Sequence, residues 1–484
     1  MKPQIGVALA VAALAGIPLV SGILVTFSMQ GEPAPVEDLT SSQTGESTRS
    51  DTRPALAGAI PSAQDSLKEV TRIVIRSDAD FRQSDVAKFV SGSGTLADPY
   101  VFEGLKVLHN LYIQDTTVPI VVRNNYIAGR LSLNYNAADV HVHHNYIGDL
   151  RVNENIRRVQ DQTGGVIEHN KIGAIGQIRH YNGEVRYNEI GPRPSHVARD
   201  YLGDTGILFL KDKQVVNFDG WHNARMHHNV IDGYVELQLH GHSHGSCFEC
   251  EPHNHADAQK SAMYDHTTRF HRFEFTDNEV KIDNGVAVRY TDVGHAGDDR
   301  TAASEDDETL RKPHVHFTQI VIARNTLVGG SLVVDVFNAK DKLHEMVNPG
   351  TLTIEDNVVR AIEGERPVWW LWGWGHRSAI EIHTSRDVDL RVAGNEAVFT
   401  AREKGPLEQA PLVGRWFGGD DPAAIRLTGF ANANLAILDN RGAADAYGID
   451  ARDFDERTTW HLSGNQFQAP EPVHYDESVK NGPS

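Results

Sequence analysis

Basic residues are scarce in this sequence relative to acidic ones. The 484 residues include 46 Lys and Arg against 65 Asp and Glu, and the formal net charge is −19. Binding to phosphates needs a surplus of Lys and Arg on the contacting face, so this balance argues against a nucleic-acid partner. It also argues against unaided binding of an acidic polysaccharide, although a bound cation would reverse that effect locally.

Amphipathic helical segments are lacking as well. No stretch of about 10–15 residues with helical periodicity alternates with the strand-like segments, which argues against a βα barrel or a doubly wound sheet. A serine nucleophile elbow, a P-loop and a dinucleotide fingerprint are also missing from any suitable context. Apolar residues nevertheless make up 40% of the chain. A sizeable core is therefore expected, and a wholly disordered chain is not.

The N-terminal segment, residues 1–30, is apolar. No charged residue occurs from Ile5 to Met29, and Lys2 precedes this run. As a helix the run would extend about 37 Å, which is long enough to cross a bilayer with tilt. We therefore predict an apolar helix that acts either as an uncleaved membrane anchor or as a cleaved signal peptide. Both alternatives place the rest of the chain outside the cytoplasm, in the periplasm or at the cell surface, anchored or secreted.

A short pattern recurs through the body of the chain: an apolar residue, any residue, a polar residue, Asn, any residue and an apolar residue, often followed by Gly. Copies include VVRNNYIAG, VIEHNKIG and VIARNTLVGG. The recurring residues are Asn125, Asn145, Asn170, Asn188, Asn229, Asn278, Asn325, Asn357, Asn395, Asn440 and Asn465. The shorter intervals between them indicate single turns of a solenoid. Intervals in the forties indicate two turns, or one turn that carries a long loop.

Alternating apolar residues on either side of each Asn indicate short strands with one buried face. An Asn at a fixed corner tolerates the left-handed backbone region, and stacked Asn side chains would form a hydrogen-bonded ladder. The predicted fold is all-β: a single-stranded right-handed parallel β-helix, or solenoid, over residues 67–470. A flexible linker is expected at residues 31–66 and a flexible tail at 471–484, with a capping helix within residues 77–90.

The segment SGSGTLADPYVFEGLKV (Ser91 to Val107), followed by the Asn-centred coils, resembles the opening of the pectate-lyase-like right-handed β-helix proteins. It is similar in particular to their periplasmic branch with carbohydrate-binding and sugar-hydrolase domains. That branch includes the accessory β-helix protein of nitrous-oxide reductase maturation, which is linked to copper or sulfur delivery. The resemblance covers roughly residues 70–470 and implies an architecture. It assigns no activity, because the fold hosts lyases, hydrolases, epimerases and non-enzymes.

The enzyme signatures of these proteins are mostly missing. The Arg-x-Pro-x-x-Arg of pectate lyases and the Gly-His-Gly of polygalacturonases do not occur. The segment EPHN, residues 251–254, approaches the Asp-Pro-His-Asp of alginate epimerases but departs from it at both acidic positions. This partial match implies His253 as a catalytic general base beside a uronate carboxylate. The alternative is a histidine of a loop or a metal site.

The segment LHGHSHGSCFECEPHNH, residues 239–255, holds the only two cysteines of the chain and many histidines. Thiolates and imidazoles at this spacing suit zinc or copper better than calcium, which prefers oxygen ligands. The predicted metal ligands are His240, His242, His244, Cys247, Cys250, His253 and His255. A disulfide without a metal, or an inert loop, remains open as an alternative.

Other histidines stand one or two positions before the recurring Asn. These are His143, His144, His169, His227 and His228. They could line a stripe along the solenoid if their coils are neighbours. The alternative is that they are polar residues suited to a corner.

The segment PVWWLWGWGHR, residues 367–377, is rich in tryptophan. On a strand, Trp370, Trp372 and Trp374 would share one face because side chains alternate with a period of two. Such a row of indole rings is a candidate carbohydrate-binding platform, since flat rings cover the apolar faces of sugars. The alternative is that these rings pack beneath a loop or against a partner.

Together these features predict an extracytoplasmic β-helix protein that binds or processes polysaccharide with a transition metal held by His and Cys. If it is an enzyme, a polysaccharide lyase, hydrolase or epimerase is expected. The alternative is a non-enzymatic, membrane-tethered accessory or structural protein that binds zinc or copper. The expected partners are a polysaccharide or a membrane-associated protein. Contact with a membrane would run through the N-terminal segment if that segment is uncleaved.

Overall fold

The computed structural model describes fifteen stretches of the chain. They are residues 60–62, 66–134, 136, 139–155, 165–180, 183–192, 214–219, 224–241, 268–294, 315–338, 350–364, 377–384, 388–402, 421–479 and 482–483. The predicted N-terminal helix, residues 1–30, and most of the predicted linker lie outside them. No helix among the described residues is long and apolar enough to cross a membrane.

Parallel strands stacked in three rows build the described part of the chain. Row 1 is a sheet of 12 strands. Its strands are β3 (Tyr100–Glu103), β6 (Ile120–Arg123), β8 (Val140–His143), β10 (Val166–Glu168), β12 (Glu184–Arg186), β15 (Ala224–His227), β18 (Thr268–Thr276), β21 (Val315–Ala323), β24 (Gly350–Glu355), β27 (Val388–Ala393), β30 (Asn434–Leu438) and β33 (Thr459–Ser463).

The remaining 23 strands form one sheet that divides into two rows. Row 2 contains β1 (Lys68–Val70), β4 (Leu105–Val107), β13 (Glu189–Ile190), β16 (Val230–Asp232), β19 (Glu279–Lys281), β22 (Thr326–Gly329), β25 (Val358–Ile362), β28 (Glu396–Thr400), β31 (Arg441–Ala443) and β34 (Gln466–Gln468). Row 3 contains β2 (Ile73–Ile75), β5 (Asn110–Gln114), β14 (Gln214–Asp219), β17 (Tyr234–Gly241), β20 (Val286–Gly294), β23 (Ser331–Asn338), β26 (Ser378–Thr384), β29 (Ala423–Thr428), β32 (Tyr447–Arg452) and β35 (Glu471–Tyr475). Three long strands, β7 (Tyr126–Asn134), β9 (Tyr146–Asn155) and β11 (Lys171–His180), run through row 2 and continue into row 3.

Each coil therefore passes through row 1, row 2 and row 3 in turn, and every strand pairs in parallel with the equivalent strand of the next coil. In row 3, for example, β17 pairs with β20 and β20 pairs with β23. The prediction of an all-β parallel solenoid is confirmed. The segments YVELQLHG, VAVRY and SLVVDVF, which follow Asn229, Asn278 and Asn325, lie in the row 3 strands β17, β20 and β23.

The asparagine ladder is confirmed in full, because all eleven predicted Asn belong to it. Asn229 shows the repeating pattern: its backbone N–H and its Nδ2 both donate to Asn278 Oδ1 at 3.0 Å. Its Nδ2 also donates to the Val185 carbonyl, in the preceding coil, at 2.9 Å. Asn229 is 41 residues from Asn188 and is bonded to it directly. The long intervals are thus single turns that carry long loops.

The left-handed backbone conformation occurs one residue earlier than expected. The ladder Asn residues themselves are not in it. The residue before each of them has a positive φ, for example 56° at His144, 55° at Tyr187 and 57° at Arg324. This residue turns the chain from row 1 into row 2, and the Asn that follows closes the corner by hydrogen bonds. From Asn125 to Asn465, every junction between rows 1 and 2 has these two residues and no others.

Long connections occur only at the two ends of row 3 strands. Residues 242–267 and 295–314 follow row 3 strands, whereas residues 363–377 and 401–422 precede them. The apolar side chains between the rows form one continuous core, to which Val235 and Leu237 of β17 contribute as fully buried residues. The long insertions therefore border row 3.

The N-terminal end of the solenoid is covered by short helical pieces in the predicted capping segment. A 3₁₀ helix spans Asp78–Arg82 and an α-helix spans Ser84–Ala87. Phe81 is buried and stacks on Tyr100 with the ring centroids 4.2 Å apart. At the other end, β35 pairs with β32. Residues assigned to a flexible tail thus form the last strand of the solenoid.

Candidate functional site

Most of the site residues predicted from the sequence lie outside the described residues. His240 lies in β17, where its backbone pairs with Val293 of β20. The chain leaves β17 after Gly241 and enters β18 at Thr268. The predicted residues outside the described stretches are His242, His244, Cys247, Cys250, His253, His255, Trp370, Trp372 and Trp374. These predictions therefore remain predictions.

The outward surface of row 3 carries a line of charged side chains that sequence analysis did not identify. We call this line the charged strip; it consists of Glu236, Arg289, Asp335, Glu381, His383, Arg426 and Asp450. These residues alternate along their strands with apolar residues of the core, so their side chains point away from it. Their strands are six neighbours of row 3, β17 to β32, which places the two ends about 24 Å apart at 4.8 Å per strand.

The strip is buried although it points outward. Glu236 and Asp335 are each 2% exposed, Glu381 is 5%, Arg426 is 1% and Asp450 is 0%. Charged side chains are almost never buried to this extent unless they are paired, because desolvation opposes the charge. The ion pairs and hydrogen bonds along the strip supply that compensation.

At its N-terminal end the strip is built around Arg289. The guanidinium contacts Asp335 Oδ2 through Nε at 2.8 Å and through Nη2 at 2.7 Å. On the neighbouring strand, Gln214 Nε2 donates to Glu236 Oε2 at 3.0 Å. Burial raises the pKa of Tyr234 well above its usual value, and the charge of Glu236 raises it further. Tyr234 is thus a neutral hydroxyl at the edge of this end of the strip.

The centre of the strip is a carboxylate–imidazole pair. His383 Nε2 lies 2.7 Å from Glu381 Oε1, and Ser378 Oγ donates to Glu381 Oε2 at 2.9 Å. Burial opposes the charged form of His383, but the hydrogen bond and charge of Glu381, together with the charge of Asp335, raise its pKa above the usual value. Asp335 and His383 are direct partners in the pairing of β23 with β26. Such a pair holds an imidazole ready to give up or accept a proton.

The C-terminal end of the strip contains Arg426 and Asp450 side by side on β29 and β32. Arg426 Nε donates to Asp450 Oδ2 at 2.9 Å, and an Arg426 Nη2 donates to the Asp421 carbonyl. Arg452 also contacts Asp450, through Nε at 3.0 Å to Oδ1. The guanidinium groups of Arg426 and Arg452 therefore share one fully buried carboxylate. Hydrogen-bond donors thus outnumber acceptors at this end of the charged strip.

The tryptophan-rich segment is flanked by a buried ion pair. Arg377 Nε lies 3.2 Å from Glu363 Oε1, and both side chains are almost fully buried. The backbone N–H of Arg402 donates to the same carboxylate at 3.1 Å. Glu363 and Arg377 thus join the two ends of the connection that precedes β26, a central strand of the charged strip.

The histidines that stand before the recurring Asn lie in neighbouring coils, and several of them form a column at the corner between rows 1 and 2. In four successive coils the corner residue is His144, His169, Tyr187 and His228, and the neighbouring rings lie 5.4, 5.3 and 5.0 Å apart between centroids. At each end of this column a second imidazole stands next to the first. His143 Nδ1 is 2.8 Å from His144 Nδ1, and His227 Nδ1 is 2.9 Å from His228 Nδ1.

Three of these histidines, His143, His169 and His227, have lowered pKa values, which favours the neutral imidazole. Burial, together with the charges of His141 and His144, lowers the pKa of His143 to about 4. Burial also lowers the pKa of His169 and of His227. A neutral imidazole has a free lone pair on one ring nitrogen, which is the form that binds metals.

Two further findings bear on function. Within the stretches that the structure covers, no group of three or more His, Cys, Asp or Glu side chains is arranged to hold a metal ion. Comparison of the chain with protein-family models, with curated proteins and with solved structures found no match.

Proposed function

We propose that this chain is an extracytoplasmic protein that binds or processes a polysaccharide along the outward surface of row 3. The observation that carries the proposal is the charged strip: charged side chains that point away from the core and are nevertheless buried. The proposal includes the finer architecture suggested by the sequence, a single-stranded right-handed β-helix of the pectate-lyase-like kind.

Ion pairs on the other two rows provide an internal comparison. The pair Arg123–Glu103 on row 1 has side chains 41% and 42% exposed, and Arg441 on row 2, paired with Glu396, is 70% exposed. Those pairs are ordinary solvated contacts that contribute little to stability. The Arg426–Asp450 pair on row 3 is 1% and 0% exposed. Of the three pairs compared, the row 3 pair is thus the one held out of water, which is costly and is typical of functional sites.

The strip suits a linear polymer better than a small molecule. It extends about 24 Å along the solenoid, which is longer than a small ligand and has donors and acceptors at each strand step. Arg289 and His383 have the partly exposed side chains of the strip, at 19% each, and are the groups that a sugar hydroxyl could reach. The strip contains both acidic and basic residues, so binding there need not follow the net charge of the whole chain.

The Glu381–His383 pair is the proposed centre for any chemistry. The pKa of His383 is raised from its usual value, which favours the protonated imidazole from which a general acid gives up its proton. The tryptophan-rich and His/Cys-rich segments are proposed to extend this site, because they connect to row 3 at opposite strand ends. Trp370, Trp372 and Trp374 would then stack on sugar rings, and His/Cys-bound zinc or copper would supply local positive charge.

A non-enzymatic, metal-binding accessory role is the second candidate. The observation that favours it is the presence of paired imidazoles at the corner between rows 1 and 2. The two roles use different surfaces and are therefore separable by substitution.

The test is a panel of neutral and uronate polysaccharides in affinity electrophoresis, with release of reducing ends measured in parallel. Glu381→Gln removes the charge at the centre of the strip and should weaken retardation or turnover at least about tenfold, one lost charged contact being worth about 1.5–3 kcal/mol. Glu396→Gln on row 2 removes a matched carboxylate outside the strip and should behave as wild type. The proposal fails if no polysaccharide retards the wild-type chain, or if Glu381→Gln and Glu396→Gln reduce retardation or turnover equally.

A further inference from the structure

We propose that each adjacent-histidine pair, His143–His144 and His227–His228, is a binding site for one divalent transition-metal ion of the copper–nickel type. The pairs lie at the corner between rows 1 and 2, on different strands from the charged strip. They are also distinct from the predicted ligands in residues 240–255. The inference therefore does not depend on the proposed polysaccharide function.

The distance within each pair fits two neighbouring ligands of one ion. The two Nδ1 atoms are 2.8 Å apart in the first pair and 2.9 Å apart in the second. Metal–imidazole bonds are about 2.0 Å long, so two of them at a right angle place their nitrogens about 2.9 Å apart. A tetrahedral ion would require about 3.3 Å. Right-angle coordination by nitrogen and oxygen ligands is typical of Cu²⁺ and Ni²⁺.

In the absence of an ion, the same distance fits an N–H···N hydrogen bond between the two rings. One imidazole then carries a proton on Nδ1, and the other accepts it. Binding of an ion moves that hydrogen to Nε2, and both Nδ1 lone pairs point to the metal. This transfer breaks the N–H bond at Nδ1 and forms one at Nε2, and no other covalent bond changes. The remaining coordination positions of the ion stay open to water or an external ligand.

The pair geometry is built twice in the same way. The first histidine of each pair is the last residue of a row 1 strand, β8 or β15, and the second has a φ of 56° at both His144 and His228. The rings in each pair are close to perpendicular, at 87° and 81°. A left-handed corner accepts Asn, Asp or His. That preference accounts for the second histidine of each pair but not for the first, which occupies an ordinary strand position.

A carboxylate, that of Glu184, lies near the His227–His228 pair. Glu184 Oε2 lies 4.0 Å from His227 Nε2, on the side of the ring away from Nδ1. Arg186 and Arg225 both contact Glu184 and fix its position, at 2.7 and 3.4 Å. A carboxylate that accepts a hydrogen bond from the second nitrogen of a ligating imidazole orients the ring and makes it a better ligand. At 4.0 Å Glu184 would have to move closer to His227 to do this.

The test is a calorimetric titration of the full chain with Ni²⁺, which does not oxidise thiols. The double variant His144→Asn/His228→Asn keeps a residue that tolerates the left-handed region, since Asn124 has a φ of 54° at the equivalent corner. The control His109→Asn/His461→Asn removes two exposed histidines elsewhere. Ions bound by other segments are common to all three proteins and cancel in the comparison.

We expect the wild type and the control to bind two more Ni²⁺ per chain than the pair variant. Equal numbers of ions in the pair variant and the control would overturn the inference. If circular dichroism shows that the pair variant does not fold, His143→Gln/His227→Gln tests the same sites from strand positions. That variant must also lose two ions, and retention of both would equally refute the proposal.

Discussion

The centre of the asparagine ladder offers the most quantitative test of the fold, through the substitution Asn325→Ala. Asn325 Oδ1 accepts from the Asn278 backbone N–H at 2.9 Å and from Asn278 Nδ2 at 3.2 Å. Its Nδ2 donates to the Phe275 carbonyl at 2.8 Å and to Asn357 Oδ1 at 3.0 Å. Asn325 is 1% exposed. Alanine therefore removes four bonds where water has little access.

The expected magnitude follows from the groups that lose a partner. A buried polar group left without its hydrogen bond costs about 1–3 kcal/mol. The Asn278 N–H and the Phe275 carbonyl both lose the Asn325 side chain, so the free energy of unfolding should fall by about 2–6 kcal/mol. Asn465→Ala is the matched control, because Asn465 accepts the same two bonds from Asn440 at 3.0 Å but is half-buried. Water can replace its bonds, and a loss of about 1 kcal/mol is expected.

Urea denaturation followed by far-UV circular dichroism measures both variants. Hydrogen exchange should accompany it, because a solenoid can unfold in sections and the two-state treatment then fails. Protection should fall most in the coils next to Asn325. The ladder argument is refuted if Asn325→Ala costs no more than Asn465→Ala, or if the coils beside Asn325 keep their wild-type protection.

Two further predictions concern the corners and the histidines. Asp439 has a φ of 53°, so Asp439→Val should lower the free energy of unfolding by about 1–3 kcal/mol, whereas Asp439→Gly should not; equal losses in thermal melts would contradict this. The pKa of His143 is lowered to about 4, so the unfolded chain binds more protons below pH 6.5, and stability falls from there towards pH 4. In metal-free protein His143→Gln should reduce this loss of stability at low pH. An unchanged dependence of stability on pH would contradict the lowered pKa of His143.

The repeat made the fold predictable because the ladder Asn must occupy the same place in every coil. Its amide satisfies a backbone N–H and a carbonyl that no other residue at that corner would satisfy. The flanking apolar residues are equally constrained, since they alternate between core and surface. The strand bounds of YVELQLHG, residues 234–241, therefore followed from the pattern alone.

The backbone conformation at the corners and the number of coils in each interval were less predictable from the sequence. The sequence places Asn, His, Tyr, Asp, Arg or Gly before the ladder Asn, and that variety hid the left-handed conformation at the preceding residue. The interval from Asn188 to Asn229 does not reveal whether one coil or two lie between them. Only the direct hydrogen bond between the two residues decides this.

The charged strip was missed because its members stand between apolar residues of their strands. A single charged residue lies within Val235–Leu237, Val288–Tyr290 and Ile425–Leu427, and each looks like an ordinary surface position in an alternating pattern. The available signal was the recurrence of a charge at the same position in five of six neighbouring row 3 strands, the exception being Val333 of β23. Burial could not be read from that pattern, because alternation shows direction but not solvent access.

The corner between rows 1 and 2 explains why the site borders row 3. The ladder fixes that corner at two residues in every coil from Asn125 onwards, and an insertion there would remove an amide from its partners. Insertions are tolerated only where the ladder does not constrain the chain, at the two ends of row 3. Binding groups concentrate on connections that a rigid scaffold positions. The long connections thus begin or end at row 3, the row whose outward surface carries the charged strip.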